Sequence, residues 1–238
     1  MATHRPSSFY YRSLVTLAVA FLTVGVASAR AGYLTAEQYP APLSGTQLSE
    51  PTIYTVGGTF RCSSSSYSGS LPYSSSTFSL KPTFSNCTLG GLSVSVSPEG
   101  CSFEYYIGSS IGGGGFNVTW SSSMYIRCPK GQSIKISSPP FFGCAMEIKP
   151  QGSLDPVYIR GLRQQDYWLS TYPNYPYLDH VTPGDIQIEH DISNLSYVVT
   201  QDSSPFCSFS GTGTFSLADY ESRHTVVAGN ARGYLRIN

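Results

Sequence analysis

The stretch Leu92-Ser93-Val94-Ser95-Val96-Ser97 decides the fold class. Apolar and polar residues alternate strictly along it, which is the pattern of a β-strand with one buried face and one solvated face. An α-helix would place some of these serines on the side that faces the core. The alternation therefore predicts a strand with Leu92, Val94 and Val96 on its buried face.

Segments of similar character recur on both sides of this strand. They are rich in β-branched and aromatic residues, and connections rich in Gly, Ser and Pro separate them. The predicted strands are residues 53–56, 59–62, 78–80, 83–85, 92–97, 103–107, 116–120, 124–128, 133–136, 144–148, 157–159, 185–192, 196–200, 207–217 and 234–237. Short strands at such regular spacing predict an all-β fold, a disulfide-stabilised antiparallel β-sandwich or a barrel-like structure.

Two stretches depart from the strand pattern. Residues 63–76 form a serine-rich, low-complexity segment, which predicts a loop. No apolar stripe with a helical period persists for three turns, and residues 218–223 are the one place where we expect a short helix.

The first 31 residues have the features of an export signal. His4, Arg5 and Arg12 precede the uncharged apolar run 14–26, and small residues at positions 27–31 offer a cleavage site after Ala29 or Ala31. The apolar run is shorter than the roughly 20 residues that span a bilayer. We therefore expect a secreted, extracellular or cell-surface protein with no stable membrane span in its mature chain, the alternative being an uncleaved anchor.

The mature chain divides into a lead-in and one domain. Residues 32–51 contain three prolines among Gly, Ser and Thr and predict an extended N-terminal lead-in, and residues 52–238 predict a single β domain. A division near residue 150 into two small β domains is the alternative. A disulfide from Cys207 to any earlier cysteine would tie such halves together and favours the single domain.

Charge and composition exclude some partners. The chain has 14 basic and 14 acidic residues, and only 12% of its residues are charged. Loss of three arginines with the signal leaves the mature chain slightly acidic, without a basic stripe that would attract phosphates. The sequence therefore predicts no nucleic-acid partner.

All six cysteines follow the predicted signal. They are Cys62, Cys87, Cys101, Cys128, Cys144 and Cys207. An even number of cysteines in an exported chain predicts three structural disulfides, although the sequence alone does not select their pairing. No Cys-x-x-Cys motif is present, so we expect no metal site and no cofactor.

Short motifs around these cysteines run through most of residues 53–237. They are Phe60-Arg61-Cys62, Lys81-Pro82-Thr83-Phe84-Ser85-Asn86-Cys87, Pro98-Glu99-Gly100-Cys101-Ser102-Phe103, Ile126-Arg127-Cys128-Pro129-Lys130-Gly131 and Gly229-Asn230-Ala231-Arg232-Gly233. Their order resembles that of a group of uncharacterised secreted actinobacterial proteins. The resemblance implies export and a bacterial source, and it implies no particular activity. The stretch 166–180 is longer and more aromatic than in that group.

This aromatic stretch carries the predicted binding residues. Its rings lie before, between and after Pro173 and Pro176, two prolines that reduce the entropy lost when the segment becomes ordered; they are Tyr167, Trp168, Tyr172, Tyr175 and Tyr177. Aromatic rings with polar edges suit stacking on a sugar ring or burial at a protein interface. The alternative is that these rings cover one end of the fold as a satellite core.

The densest group of acidic and histidine side chains lies at Glu189-His190-Asp191, with Asp179, His180 and Asp185 nearby. On a strand, Glu189 and Asp191 would share one face and His190 would point to the other. A solvated strand face explains the two carboxylates, and no calcium-loop motif accompanies them. The same pair could instead provide the acid and base of a glycoside hydrolase.

These observations favour binding over catalysis. No Gly-x-Ser-x-Gly elbow is present for a serine hydrolase, and we predict no catalytic residue. The leading expectation is a secreted, non-enzymatic β domain that binds a polysaccharide or a surface protein, or has a structural role at the cell surface. A secreted glycoside hydrolase with paired carboxylates is the alternative.

Overall fold

A computed structural model describes residues 31–112, 117–162, 185–203, 215–229 and 235–237. These residues form thirteen β-strands and no helix. The strands are β1 (Leu34–Ala36), β2 (Ala41–Thr55), β3 (Gly58–Leu71), β4 (Thr77–Leu89), β5 (Leu92–Ser97), β6 (Ser102–Gly112), β7 (Asn117–Arg127), β8 (Ile134–Ser137), β9 (Cys144–Ile148), β10 (Gln151–Leu162), β11 (Asp185–Asp202), β12 (Phe215–Ala228) and β13 (Leu235–Ile237). No helix in these ranges is long and apolar enough to cross a membrane.

Eight of these strands close into an antiparallel barrel in the order β10-β7-β6-β4-β3-β2-β12-β11, with β11 pairing back to β10. An eight-stranded barrel has an interior just wide enough to be filled by side chains. The alternating burial along β11, where Ile186, Ile188, His190 and Ile192 are buried, shows this inward and outward alternation. The all-β antiparallel prediction is confirmed, and the architecture is a barrel.

The barrel forks at one end because two long strands change partners along their length. β4 pairs with β6 through residues 77–80 and with β5 through residues 87–89. β11 pairs with β10 through residues 187–190 and with β9 through residues 198–202. Strands β5, β8 and β9 bridge β4 and β11 there, so β2, β3, β4, β11 and β12 belong to two closed rings.

Disulfides cross-link neighbouring strands at this fork. Cys62 and Cys87 are directly opposed on β3 and β4 and are bonded to each other. The Cys101–Cys128 disulfide joins the residue before β6 to the residue after β7, closing the open end of that hairpin. Cys144 is also disulfide-bonded, and Cys207 lies outside the described residues.

The end of the barrel opposite the fork is covered by the chain termini of the domain. β1 pairs with β13, and Leu34, Leu235 and Ile237 are buried. A Cβ atom added to Gly32 would lie 2.9 Å from Trp120 Cδ1 and 2.7 Å from Ile107 Cγ2, so only glycine allows this close approach.

The strand prediction at Leu92–Ser97 is confirmed by β5. The loop expected at residues 63–76 is wrong for residues 63–71, because β3 continues to Leu71 and is paired on both sides. The short helix expected at residues 218–223 is also wrong, since β12 runs through it. Residues 41–51, expected as part of an extended lead-in, form most of β2.

Candidate functional site: an outer cleft backed by a buried polar layer

The structure places the sequence-predicted site residues in two groups. Glu189 and Asp191 point out of the barrel and His190 points in, as their spacing predicts. The predicted aromatic binding residues lie outside the described residues; they are Tyr167, Trp168, Tyr172, Tyr175 and Tyr177. Within the described residues, the candidate site is therefore the one marked by Glu189 and Asp191.

A bulge in β2 opens the barrel surface beside these carboxylates. β12 pairs Glu221 with Thr52 and Arg223 with Ser49. Between these two pairs, one residue of β12 therefore lies opposite two residues of β2. Pro51 lies within this bulge and has no backbone N–H to offer a ladder, which is why prolines in sheets occur at such irregularities. Bulges bend the strand and redirect its side chains.

The resulting cleft has a volume of about 270 Å³. It is bounded by residues of three adjacent strands: Ser49, Glu189, His190, Asp191, Glu221, Ser222 and Arg223. Because the side chains of His190 and Ser222 are buried in the barrel, these two residues contribute their main chain to the floor. The outward-pointing groups are three carboxylates, one guanidinium group and one hydroxyl group.

Glu189 is held between two arginines. Its Oε1 accepts a hydrogen bond from Arg223 Nη2 at 3.1 Å, and its Oε2 lies 2.8 Å from Arg160 Nη2 on β10. The second contact is an ion pair. Partly exposed pairs of this kind stabilise a fold by no more than about 1 kcal/mol, so their clearer consequence is to fix the carboxylate in place.

Asp191 and Glu221 are directly opposed across β11 and β12 and both are exposed. Like charges at directly opposed positions of a sheet destabilise it. Glu221 Oε2 accepts a hydrogen bond of 3.4 Å from Tyr54 Oη, and the Tyr54 side chain is 41% exposed. The cleft thus joins an acidic pair to the ring of a half-exposed tyrosine.

A buried polar layer lies behind the cleft, inside the barrel. Ser222 Oγ donates to Tyr220 Oη at 3.0 Å and lies 2.8 Å from His190 Nδ1. Since the single hydroxyl proton of Ser222 goes to Tyr220, Oγ accepts from His190 Nδ1–H. Neutral His190 then has Nε2 free to accept from Tyr105 Oη, 3.1 Å away.

The imidazole ring of His224 also belongs to this layer, but it makes no hydrogen bond to the described residues. It is fully buried, and neither ring nitrogen has a hydrogen-bond partner in the described part of the chain. Its ring stacks on Tyr67 with centroids 3.9 Å apart, and the His190 ring lies 5.3 Å away. Gly45 makes room for this stack, because a Cβ atom there would lie 3.1 Å from Tyr67 Cβ.

Burial keeps all of these groups uncharged at neutral pH. Loss of hydration lowers the pKa of His190 to about 3, partly opposed by a hydrogen bond to the backbone of Ser222. The pKa of His224 is lowered well below its usual value, first by burial and then by the nearby His190. Burial likewise raises the pKa values of Tyr67, Tyr105 and Tyr220.

Some of the cleft residues were not predicted from the sequence. Ser49, Glu221 and Arg223 join Glu189 in the cleft only through the strand register, which also brings Tyr54 beside it. Pro51 inside a strand-forming segment was the available signal of a bulge. Within the described ranges, no group of three or more His, Cys, Asp or Glu side chains is arranged to hold a metal ion.

Comparison with known proteins gives no relative from which a role could be transferred. No protein-family model, curated protein or solved structure matches the chain. Its function must therefore be inferred from the cleft itself.

Proposed function

We propose that this protein is a secreted, non-enzymatic β-barrel that binds a glycan in the outer cleft. One observation carries the proposal: a concave site of about 270 Å³ combines carboxylate, guanidinium and hydroxyl groups and lies beside the exposed ring of Tyr54. Sugars present hydroxyl groups that both donate and accept hydrogen bonds, together with an apolar ring face that stacks on aromatic side chains.

The charges of the cleft favour neutral or amino sugars. Asp191 and Glu221 can accept hydrogen bonds from hydroxyl or ammonium groups, whereas Glu189 is already paired with Arg160 and Arg223. An acidic sugar would bring a further negative charge beside the Asp191 and Glu221 carboxylates, which is unfavourable. We therefore expect discrimination against uronic acid polymers.

The predicted signal at residues 1–31 and the disulfides support export. Bonded cysteines persist in oxidising compartments, and the structure contains Cys62–Cys87 and Cys101–Cys128. An extracellular or cell-surface location in an actinobacterium gives such a barrel access to wall and environmental polysaccharides.

The aromatic stretch predicted to bind ligand is connected to the strands of the cleft. It belongs to residues 163–184, which join β10 to β11, and these strands provide Arg160 and Glu189. Trp168→Ala therefore remains a useful second variant in any binding experiment, independent of the cleft substitutions.

Glycoside hydrolysis by Glu189 and Asp191 is the competing function. Such enzymes need one carboxyl group that keeps its proton until it is given to the leaving group. Glu189 is already engaged by two guanidinium groups and Asp191 is exposed to solvent. The geometry suits hydrogen bonding to a ligand better than proton donation.

Isothermal titration calorimetry of the mature, oxidised protein tests the proposal with soluble neutral, amino and acidic oligosaccharides at pH 7. We expect saturable binding of a neutral or amino sugar, weakened about tenfold or more by Asp191→Asn or Arg223→Gln. Glu104→Gln is the matched control, because Glu104 forms a similar exposed ion pair with Arg127 on β6 and β7.

Each contrary outcome has its own meaning. A flat response to every sugar contradicts glycan binding and favours a protein partner or a structural role. Release of new reducing ends that Glu189→Gln abolishes would show the hydrolase instead. Equal loss of binding in Glu104→Gln would place the ligand elsewhere.

A further inference from the structure

The outer cleft and the buried polar layer lie on opposite faces of the same two strands, β11 and β12. His190 lies between Glu189 and Asp191 on β11, and Ser222 lies between Glu221 and Arg223 on β12. His190 and Ser222 are directly paired in the register and are joined by the 2.8 Å hydrogen bond inside the barrel. A change in this inner pair must act on the backbone that carries the cleft side chains.

Among the residues that the structure describes, none places a compensating negative charge beside the two histidines. Tyr67 of β3, Tyr105 of β6 and Tyr220 of β12 are the titratable groups that contact them. Described residues facing this layer from β2, β7 and β10 are uncharged, namely Gln47, Ser122 and Val157. From β4, the apolar side chain of Phe78 stacks on Tyr105, and Leu80 is buried as well.

We propose that acidification releases the glycan from the outer cleft, because protonation of the buried His190 and His224 pair loosens the β11–β12 strand pair. This inference rests on the proposed function and concerns the regulation of the same site. Two imidazolium rings 5.3 Å apart in a closed barrel repel each other and lack the hydration that each had in water. Protonated His190 also loses Nε2 as the acceptor for Tyr105.

The direction of the pH effect follows from linkage. The lowered pKa values mean that the tightly packed barrel binds fewer protons than a loosened state whose histidines titrate near 6.5. The packed state is therefore favoured above pH 6.5 and loses stability progressively as the pH falls from 6.5 towards 3. A ligand that requires the packed state loses affinity over the part of this interval in which the loosened state becomes populated.

Calorimetric titration at pH 7 and pH 5.5 tests this inference with the sugar that binds at pH 7. We expect wild-type affinity to fall by about fivefold or more at pH 5.5. His224→Phe retains a ring to stack on Tyr67 and removes one titrating group, so its affinity should depend less on pH. An unchanged acid response in His224→Phe would show that the cleft carboxylates cause it and would overturn the inference.

Hydrogen exchange of the wild-type protein provides a test that needs no variant to fold. After correction for the intrinsic rate, amides of residues 187–192 and 220–224 should lose more protection at pH 5.5 than those of the β6–β7 hairpin. Equal changes in both regions, or equally tight binding at both pH values, would contradict the proposed acid response. Neither result would contradict the proposed glycan site. Absence of binding at pH 7 contradicts the proposed function instead, and exchange then reports separately whether the strand pair responds to acid.

Discussion

His190 Nδ1 lies 2.8 Å from Ser222 Oγ inside the barrel, directly behind the cleft that Glu189, Asp191, Glu221 and Arg223 form outside it. The contact is part of a directed series of hydrogen bonds from Tyr105 through His190 and Ser222 to Tyr220. A neutral His190 with its proton on Nδ1 satisfies every bond in that series. The strand pair that carries the cleft is thus fixed from within by uncharged polar groups.

Ser222→Ala should destabilise the barrel by about 1–3 kcal/mol, because it removes the buried hydroxyl group that bonds to both His190 Nδ1 and Tyr220 Oη. Urea unfolding at pH 7 measures the change. Ser95→Ala is the control, since the Ser95 hydroxyl is exposed and bonds to Ser137 at 3.1 Å, and we expect less than about 0.5 kcal/mol there. Equal losses in the two variants would contradict the inner hydrogen-bond series.

The free energy of unfolding should fall as the pH decreases from 6.5 to 5. In the unfolded chain both histidines bind protons below about pH 6.5, whereas in the barrel their lowered pKa values keep them neutral. Well below pH 6.5 the slope approaches about 2.7 kcal/mol per pH unit for two groups. Urea unfolding across this interval measures the slope, and a flat profile would show that the histidines are hydrated in the native state.

Replacing Cys62 and Cys87 together by alanine should cost about 3 kcal/mol, because the disulfide closes a loop of 25 residues in the unfolded chain. Denaturation of the double variant beside the oxidised parent measures the loss. The Cys101–Cys128 pair has a separation of 27 residues and is the matched comparison. No loss of stability in either double variant would contradict the stapling role of these bonds at the fork.

Glu221→Gln should stabilise the free protein by a few tenths of a kcal/mol at low salt, because it relieves the repulsion from Asp191 directly opposite. Thermal unfolding in low and high salt measures the effect. Screening should remove the gain at about 1 M salt, where the Debye length is about 3 Å. A gain that persists in high salt would have another origin.

The sequence predicted those strands whose inward positions are apolar. Leu92–Ser97 alternates cleanly, and the structure has β5 over the same residues. β3 was missed beyond Cys62 and β12 was expected to include a helix, because Ser65, Ser222 and His224 occupy inward positions and hide the period of two. Polar residues inside a barrel cannot be recognised as inward until the pairing partners are known.

The candidate site was predicted only in part for a related reason. The shared face of Glu189 and Asp191 follows from strand periodicity alone. Ser49 and Arg223 are distant in sequence, and only the register across the β2 bulge brings them to the same cleft. The closure of the barrel, which depends on β10 pairing with β11, also lies beyond what local patterns show.

Chemical-shift mapping by NMR tests the central claim most directly, with the mature ¹⁵N-labelled protein titrated at pH 7 with a neutral or amino oligosaccharide. Saturable shifts should concentrate on the amides of residues 49–54, 189–191 and 221–223, and should disappear in Arg223→Gln. Shifts confined to other strands, or none at any sugar concentration, would contradict a glycan site in the outer cleft.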